Sequence, residues 1–547
     1  MKDQLNRWFH FFLIAGILIN STSLFNGILE PDGALYASIA KKMALNNDWI
    51  NLIGNGGDWL DKPHLPFWLA ALSFKYLGIS SFAYKLPAFL CFITGVLYLY
   101  RLAALVYNES TARLTVLIYI TSLHVMLANF DVRAEGYLTC FVIAALYYLY
   151  RLQRSATVLT ILPAALFTAC AIMTKGIFVA VTIAGGFILH WIFCGKWNEF
   201  LKPRWWLVVF FSLVFILPEL YCLYQQFDRH PEKIIFGQTH VSGLRFFFWD
   251  SQFGRFFNTG PIKGTGDKLF FVHTSLWAFL PWTLPLLGCL WYYGKKIKQL
   301  NLRSEKIIIA GSAVFTFLLF SFSGFQLPHY IVILLPHYAL FTAAYLLKQE
   351  QTAGLRLLNS VQLIILILLS LLVIAIAYMY DRVSSLWAVL LFSAVLISLI
   401  LLLTSTDNMR LLWMNYIFIS GLFIYLNLVF YPDIMEYQAG MKAAQWLNKS
   451  GNSKKVIMYP AYSYSLEFYN DTPVILAKSL HEVDSIAAAE PVLLFTEKAG
   501  ARSMLKDRPG FKISGEFEYF HISQLSFQFL NSKTRIQQLE TFVLVDL

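Results

Sequence analysis

Long apolar segments recur along the first 430 residues, and they constrain the fold more than any other feature of the chain. A helix needs about 20 mostly apolar residues to cross a bilayer. Only 14% of the residues are charged, against about 25% in a soluble domain. The sequence therefore predicts an α-helical polytopic membrane protein with about thirteen spans. The predicted spans are 8–28, 84–104, 114–130, 136–150, 157–173, 176–194, 205–224, 270–293, 306–323, 330–347, 359–380, 385–404 and 411–430.

Lysine and arginine residues predict how these spans are oriented. Cytoplasmic loops are enriched in both residue types, because their translocation is disfavoured. With the N-terminus inside, the inner connections hold most of the basic residues, whereas the short outer connections hold only Arg133, Lys175 and Arg382. We therefore predict a protein of the inner (cytoplasmic) membrane with a cytoplasmic N-terminus. An odd number of spans then places the C-terminus on the periplasmic, or extracytoplasmic, side.

The composition changes after Tyr431 and predicts a second domain. Short β-rich runs alternate there with helical patterns, which is typical of a small α/β domain. The predicted strands are 455–459, 473–477, 491–496 and 541–545, and the predicted helices are 435–448, 481–489 and 501–506. We thus predict a transmembrane domain over residues 1–430, with long outer loops at 29–65 and 225–269, and an extracytoplasmic α/β domain over 431–547.

The first outer loop contains the first residue that could do chemistry. Asp32 follows Glu30 and Pro31 just after the first span. A carboxylate at this place could accept a proton from a hydroxyl group, but it could equally cap the helical pattern that follows. That pattern, at residues 35–45, predicts an amphipathic helix lying flat on the membrane surface.

Three charges share the short turn between the third and fourth spans, at Asp131, Arg133 and Glu135. Charges between two membrane helices are costly unless they are paired or used. Asp131 and Arg133 could simply neutralise each other, and Glu135 gains from its position at a helix N-terminus. Glu135 also lies where a substrate cavity would open, so a functional role stays open beside the structural one.

Further cations are predicted on the same side of the membrane. Lys62 could hold a lipid phosphate or extend to the headgroups. Lys175 separates two spans with almost no loop, which favours a functional role. Arg255 is flanked by aromatic residues, unlike the other basic residues of the second long loop, which we expect to be solvated. Other possible substrate contacts are Tyr36, His64, Lys263, Gln326, His329 and Tyr330.

The motifs and the charge distribution exclude several classes of function. No phosphate-binding loop, dinucleotide-binding glycine pattern or zinc-ligand spacing occurs in the right context. We therefore predict no cofactor and no metal ligands, and dependence on a divalent metal stays open. The net charge of +11 is spread over short loops, which predicts membrane lipids and phosphates rather than nucleic acid as partners.

Carboxylates and cations at one membrane face match transfer from a lipid-linked phosphate donor. Cations would stabilise the departing phosphate, and a carboxylate would deprotonate an incoming hydroxyl. Arginine can bind two phosphate oxygens at once. We predict that Asp32 is the general base or acceptor anchor, with Glu135 as its partner. The predicted donor-phosphate ligands are Lys62, Arg133, Lys175 and Arg255.

A series of short motifs supports this chemistry. Asp32 precedes the pattern Tyr-Ala-x-Ile-Ala-x-x-Met at 36–43, and Asp48-Trp49, Lys62-Pro63 and Phe67-Trp68 follow. The order resembles that of the GT-C glycosyltransferases, and within these the superfamily of protein O-mannosyltransferases and lipid A aminoarabinose transferases. The likeness continues through 133–138, 174–176, 281–282 and 327–330, so it touches most of residues 26–340.

The resemblance implies an inverting transfer from a polyprenyl-phosphate sugar on the periplasmic face. It assigns the family's two acids to Asp32 and Glu135, and the Lys-Pro lysine to Lys62. Thirteen spans and an outer α/β domain look most like the aminoarabinose branch. The chain departs from the family pattern at Gly33, Leu35, His64 and Gln326, where Glu, Arg, Pro and Lys are common. The sugar and the acceptor, whether lipid A, another glycan or protein, therefore stay open.

Two other classes of function are alternatives to a glycosyltransferase. A transporter or flippase of lipid-linked sugars would typically show repeated halves and charges at the bilayer midplane, whereas the charges here lie at one face and no halves match. A receptor or scaffold would use residues 431–547 to bind partners, and nothing in that segment offers a catalytic cluster.

Overall fold

The computed structural model describes residues 2–349, 353–404, 409–504 and 511–547, which form a helical bundle with a small C-terminal sheet. Among these residues, eight helices are long and apolar enough to cross a membrane, or nine if one bent pair counts as a span. The predicted polytopic helical fold is confirmed. The eight helices cover Lys2–Phe25, Ser81–Val106, Val158–Lys175, Pro203–Asp228, Pro328–Lys348, Gly354–Tyr380, Val383–Leu401 and Arg410–Tyr437.

The first outer loop is mostly structured. After α1 (Lys2–Ser21) it contains α2 (Asp32–Asn46), a hairpin of β1 (Ile53–Gly54) and β2 (Gly57–Asp58), and α3 (Leu65–Leu77), a helix that was not predicted. Residues 33–41 of α2 are all buried, so protein covers every face of this helix. The prediction of a helix lying flat on the membrane is wrong, because α2 packs between α3 and the C-terminal residues.

The centre of the bundle consists of α4 (Ser81–Val106), α5 (Glu109–Ile120), α6 (Leu123–Phe130), α7 (Ala134–Arg154), α8 (Val158–Lys175), α9 (Val179–Cys194), α10 (Pro203–Phe215) and α11 (Leu217–Leu223). α7 packs against α4 and α8 and is buried along most of its length. The predicted span 114–130 is two helices, because α5 and α6 meet at a bend of 55°. α9 has 16 residues, fewer than the about 20 that a straight span needs.

The predicted span 270–293 is also divided in two. The second outer loop contains α12 (Gly243–Arg245), and α13 (Phe270–Ala278) and α14 (Thr283–Lys295) then flank Pro281. Proline lacks the N–H that would continue a helix. The break leaves the carbonyls of Leu280 and Pro281 without partners in their own helix, and neighbouring helices supply the donors. The carbonyl of Leu280 accepts from the N–H of Leu123 at 2.7 Å, and that of Pro281 accepts from the side chain of Gln362 at 2.8 Å.

Two glycines bring α9 against α15 (Lys306–Phe322), which precedes α16 (Leu335–Lys348). A Cβ atom on Gly186 would lie 1.9 Å from the carbonyl oxygen of Ile308, and one on Gly311 would lie 2.9 Å from the Cα atom of Gly186. Small residues permit such close backbone contact between membrane helices. The contact fixes two helices that supply walls of the site described below.

The remaining bundle helices are α17 (Ala353–Tyr380), α18 (Arg382–Leu401), α19 (Arg410–Tyr425) and α20 (Tyr431–Ile434). The C-terminal segment (residues 431–547) then forms one sheet in the order β4-β3-β5-β7-β6, in which β4, β3 and β5 are parallel and β7 and β6 antiparallel. Its further elements are α21 (Ala439–Ser450), β3 (Lys455–Met458), α22 (Tyr464–Tyr469), β4 (Val474–Leu476), α23 (Leu480–Ala489), β5 (Val492–Glu497), α24 (Lys498–Met504), β6 (Lys512–Tyr519), α25 (Phe527–Leu530) and β7 (Glu540–Asp546).

Each strand and helix predicted for this segment coincides with one of these elements, whereas α22, β6 and α25 were not predicted. The last two residues of the predicted helix 501–506 lie outside the described residues. The apolar core of the bundle continues into the segment, because Met441, Phe468 and Phe529 belong to the same cluster of buried side chains. The segment therefore packs directly on the bundle.

Candidate active site

Arg133 joins two carboxylates at the end of the bundle that carries α2. Asp32 is the first residue of α2, where a negative charge is favoured by the helix N-terminus. Nη1 of Arg133 donates to Oδ2 of Asp32 at 2.5 Å, and Nε donates to Oδ2 of Asp131 at 2.8 Å. The arginine precedes α7, so the turn between α6 and α7 is tied to the first outer loop.

The contacts continue from Arg133 to Glu135 and Lys175. Nδ1 of His329 lies 3.3 Å from Nη1 of Arg133, and its Nε2 lies 3.7 Å from Oε2 of Glu135. The other oxygen of Glu135 accepts a hydrogen bond from Nζ of Lys175. That ammonium group also lies 3.7 Å from the ring centre of Tyr330. We call these side chains, with Asp32 and Asp131, the ionic network.

A cavity lies beside Lys175, with Lys62 and Arg255 also in its walls. Between these two cations lies Asp61, which accepts hydrogen bonds from Lys62 at 2.8 Å and from Arg255. Burial alone would raise the pKa of Asp61, but the charges of Lys62 and Arg255 outweigh it and hold the pKa well below its usual range. Asp61 is therefore ionised.

The charges around this cavity do not cancel. Lys62, Lys175 and Arg255 are three cations, and the carboxylates paired with them, Asp61 and Glu135, are two. One positive charge is left in excess at the cavity, whereas Arg133 with its two carboxylate partners, Asp32 and Asp131, leaves one negative charge at the other end of the ionic network. Since buried charges are stable only when they are paired, the cavity is suited to a group with a single negative charge, such as a phosphate diester.

The other walls of the cavity are mostly aromatic and apolar, and their polar residues are Thr182, Ser251, Gln252 and Ser323. Gln252 accepts from the N–H of Phe178 at 3.2 Å and donates to the carbonyl of Lys175 at 3.3 Å, which closes the turn after α8. Gly176 has φ of +100°, and a Cβ atom there would lie 2.0 Å from Nε2 of Gln252. Cations beside aromatic walls suit a phosphate that is attached to an apolar chain.

Three of the predicted substrate contacts lie at the network or the cavity. His329 belongs to the ionic network, and Tyr330 lines the cavity. Tyr36 lines a second, smaller cavity together with Arg133. Burial raises the pKa of Tyr36, and the carboxylates of Asp61 and Asp32 raise it further. Its phenol group is therefore protonated.

His64 does not line either cavity, although it was predicted as a substrate contact. Its ring is buried completely. Nδ1 lies 3.0 Å from Oε1 of Glu219, and Nε2 lies 2.9 Å from the carbonyl oxygen of Ile50. Because both ring nitrogens have protein partners, His64 joins the first outer loop to α11 instead of facing a substrate.

Gln326 and Lys263 also lie away from the cavity. The side-chain nitrogen of Gln326 donates to the carbonyls of Phe320 and Ser321, each at 3.1 Å, and its oxygen accepts from the N–H of Asp267 at 2.8 Å. Gln326 therefore connects α15 to the second outer loop. Lys263 is exposed in that loop and is absent from the cavity walls.

Asp61 is the main site residue that the sequence analysis missed. It directly precedes Lys62, and an acid next to a lysine is the only signal that could have indicated it. Its second partner, Arg255, lies 194 positions further along the chain. Pairing over such a distance has no local pattern. The same holds for Gln252, which reaches back 77 positions to Lys175.

No group of three or more His, Cys, Asp or Glu side chains is arranged to hold a metal ion in the part of the chain that the structure describes. The acids of the site have lysine or arginine partners instead. Asp32 and Asp131 share Arg133, and Glu135 contacts Lys175.

A protein family described as dolichyl-phosphate-mannose-protein mannosyltransferase matches residues 61–222. The chain is 26% identical over 344 residues to an undecaprenyl phosphate-alpha-4-amino-4-deoxy-L-arabinose arabinosyl transferase of Edwardsiella ictaluri, a match that spans 61% of this chain and 59% of that protein. A protein of Aquifex aeolicus is 23% identical over 458 residues, which cover 82% of this chain and 84% of that one.

The fold is similar to that of ArnT from Cupriavidus metallidurans, which was crystallised with bound undecaprenyl phosphate. The two structures superpose with a TM-score of 0.76 over 98% of each chain, at 16% sequence identity. The similarity thus extends over the bundle and the C-terminal segment alike.

Proposed function

We propose that the chain moves a sugar from a polyprenyl-phosphate carrier to a hydroxyl or phosphate acceptor, because it belongs to the GT-C superfamily of protein O-mannosyltransferases and aminoarabinose transferases. The observation that carries this proposal is the excess positive charge of the cavity beside Lys175. Undecaprenyl phosphate-linked 4-amino-4-deoxy-L-arabinose is the first donor to test, since a relative is named for it. Lipid A is the first acceptor to test.

The donor phosphate would bind between Lys62, Lys175 and Arg255. A polyprenyl-phosphate sugar is a phosphate diester with one negative charge, which balances the cavity. When the sugar leaves, the phosphate becomes a monoester and gains negative charge. Cations that are already in place stabilise this developing charge in the transition state.

The acceptor would approach from the side of Asp32, the more exposed end of the ionic network. Its carboxylate is 36% exposed, whereas that of Glu135 is 3% exposed. For a hydroxyl acceptor, Asp32 would take the proton. For a phosphate acceptor no proton need be removed, and Arg133 would orient the oxygen that attacks.

A single displacement reaction accounts for the bond that forms, the bond that breaks and the proton that moves. The acceptor oxygen bonds to the anomeric carbon while the bond from that carbon to the phosphate oxygen breaks. The phosphate leaves with the electron pair, and the proton of a hydroxyl acceptor passes to Asp32. Such a displacement inverts the anomeric configuration, which NMR spectroscopy of the product would test.

The reaction would occur at the periplasmic face, with the N-terminus in the cytoplasm. The distribution of lysine and arginine supports this orientation. The C-terminal segment packs on α2, which begins at Asp32. The segment and the site therefore lie on the same side of the membrane.

Mass spectrometry of envelope lipids and proteins from cells with and without this chain tests the proposal. A sugar that is missing from one fraction would identify the donor and the acceptor together. Transport of labelled lipid-linked sugar across vesicles without any transfer would instead support a flippase, a function that none of the similar proteins supports.

Replacement of Asp32 tests the acceptor side directly. We expect Asp32→Asn to lower kcat by about 10²- to 10⁴-fold, the usual contribution of a general base, without weakening undecaprenyl phosphate binding. Glu232→Gln is the control, because Glu232 is an exposed acid of the second outer loop that pairs with His230. Full activity of Asp32→Asn would remove Asp32 from the mechanism.

A further inference from the structure

The C-terminal segment is bonded to the backbone that leads into Asp32. The side chain of Gln438 is buried and makes two hydrogen bonds to this backbone: it donates to the carbonyl of Ile28 and accepts from the N–H of Glu30, both at 3.0 Å. The hydroxyl of Tyr469 also accepts from the N–H of Ile28 at 2.7 Å. Asp32 is only two residues beyond Glu30, so its position depends on these contacts.

The C-terminal half of α2 is held by the same segment. Nζ of Lys41 is buried and donates to the carbonyls of Phe468 at 2.9 Å and Asn470 at 2.5 Å, at the C-terminal end of α22. A cation is favoured at this end of a helix, where the carbonyls have no partner within the helix. The backbone before α2 and the C-terminal half of α2 are therefore both attached to the C-terminal segment.

Tyr464 lies at the centre of these contacts. Its two neighbours, Ser463 and Ser465, both donate to the carboxylate of Glu30, through a hydroxyl at 2.8 Å and a backbone N–H. Its own carbonyl accepts from Ser38 of α2 at 3.1 Å. The phenol ring is only partly buried, and it packs edge-on against Tyr462 at 4.7 Å between ring centres.

The surroundings of the phenol group agree with a position near Asp32. Burial raises the pKa of Tyr464, and the carboxylates of Glu30 and Asp32 raise it further. The group is therefore a neutral hydrogen-bond donor. A partly exposed tyrosine beside a carboxylate offers a sugar or a glycolipid both an apolar ring face and a donor.

We propose that the C-terminal segment completes the acceptor side of the site: Tyr464 contacts the acceptor and sets its specificity, and Gln438 positions Asp32. This inference rests on the proposed glycosyltransferase function. The ligand it assigns to Tyr464 is the acceptor and not the donor. Within the described residues, the walls of the cation-lined cavity come only from positions 61–333, so the segment does not reach the donor cavity.

Steady-state kinetics with two substrates test the role of Tyr464. The purified full-length protein in vesicles would transfer 4-amino-4-deoxy-L-arabinose from undecaprenyl phosphate to lipid A, each substrate being varied in turn. We expect Tyr464→Ala to raise KM for lipid A about tenfold, because an aromatic contact and a hydrogen bond are lost. KM for the donor should be unchanged.

Two further variants keep this test decisive. Tyr464→Phe retains the ring and should raise KM for lipid A by about threefold, the effect of one lost hydrogen bond; it also serves if Tyr464→Ala does not fold. Tyr378→Ala removes a tyrosine that is 78% exposed at the end of α17, and it should change neither KM. An unchanged KM for lipid A in folded Tyr464→Ala, or an equal rise of both KM values, would overturn the role of Tyr464.

Gln438 needs a different measurement, because its role is indirect. We expect Gln438→Ala to lower kcat about tenfold with both KM values unchanged, because Asp32 is displaced while the binding surfaces stay in place. Asn448→Ala is the matched control: Asn448 lies in α21, which begins directly after Gln438, and it also bonds to two backbone groups. These are the carbonyl of Tyr469 and the N–H of Asp471, and both belong to the C-terminal segment. Equal losses of kcat in the two variants would contradict positioning by Gln438.

The outcome also separates this inference from the proposed function. If the unaltered protein transfers no sugar from any polyprenyl-phosphate donor, the proposed function fails, and the role of Tyr464 as an acceptor contact fails with it. If it transfers sugar and Tyr464→Ala resembles it in every constant, the proposed function stands and the inference alone is overturned.

Discussion

Asp61 holds two of the three cations of the cavity, Lys62 and Arg255. In the proposed mechanism, a donor phosphate would compete with this carboxylate for the same groups. The charge of Asp61 reduces the excess positive charge of the cavity, which lowers the cost of its buried cations. It would also weaken the binding of the phosphate product, so that the product could leave.

We expect Asp61→Asn to bind undecaprenyl phosphate about tenfold more tightly, since the loss of one competing charge strengthens charge-assisted hydrogen bonds. Slower product release should then lower kcat. Titration calorimetry measures the affinity, and a burst of product before the steady state would report slow release. Asp58→Asn is the control, because Asp58 lies in the same loop but pairs with Lys233. Unchanged or weaker binding by Asp61→Asn would count against this account.

The buried contact between His64 and Glu219 predicts that the stability of the protein depends on pH. Burial opposes the charge of the imidazole ring, but the carboxylate of Glu219 outweighs burial and raises the pKa of His64 above its ordinary value of 6.5. The folded state thus binds the proton more tightly than the unfolded state does. The resulting stabilisation is complete below pH 6.5, and it is lost as the pH rises through the raised pKa.

The thermal midpoint of the protein in detergent should accordingly fall as the pH is raised above 6.5. His64→Asn should lack this part of the decrease, because asparagine does not titrate. Glu219→Gln should lack it as well, since the charge that raises the pKa is gone. A decrease of the same size in all three proteins would assign the pH dependence to other groups.

At the scale of single elements, the broken segment around Pro281 shows how far apolar length can predict a span. Residues 270–293 are apolar enough to cross a membrane, and the sequence predicted one helix. The structure has two, because partners for the freed carbonyls of Leu280 and Pro281 come from α6 and α17. Interrupted helices persist within a membrane where such partners exist.

Gln362 should therefore stabilise the break at Pro281, although it lies in α17 and not at the candidate active site. We expect Gln362→Leu to lower the free energy of unfolding by about 1–3 kcal/mol, because the carbonyl of Pro281 is left buried without its donor. Ser360→Ala on the exposed face of the same helix is the control. Thermal unfolding followed by fluorescence would measure both, and equal midpoints would contradict the role assigned to Gln362.

α2 illustrates a second limit at this scale. Its apolar and charged residues predicted a helix lying flat on the membrane surface. The structure buries Lys41 among carbonyls of α22 and pairs Lys42 with Glu467. A helix with a charged face can lie on a membrane or beneath another part of the protein, because both environments satisfy the same pattern. Only the presence of α22 decides between them.

At the scale of the whole molecule, the proposed orientation can be tested with single cysteines. Ser453 in the C-terminal segment and Asn301 between α14 and α15 are both exposed. We expect Ser453→Cys to react with a membrane-impermeant thiol reagent in intact spheroplasts, and Asn301→Cys to react only after lysis. The unaltered chain is the control, since its six cysteines are buried or partly buried. Reversed labelling would refute the orientation.

The candidate site also belongs to this scale. Asp32, Lys62, Glu135, Lys175 and Arg255 were predicted one by one from charges in outer connections. The structure brings them to one place from the first loop, two helix ends and the second loop. The roles assigned to them stay predictions, whereas their proximity is a property of the fold.

By itself, the sequence determined that the chain is a polytopic membrane protein, where most helices lie and which outer charges are costly. These properties follow from local composition, because transfer into a bilayer depends on each segment's own residues. Only the tertiary structure decided that Asp61 pairs with Arg255, that His64 contacts Glu219, and that the C-terminal segment holds α2 and the backbone before it. Such pairings depend on distances between groups that are remote in the chain, and local composition does not contain them.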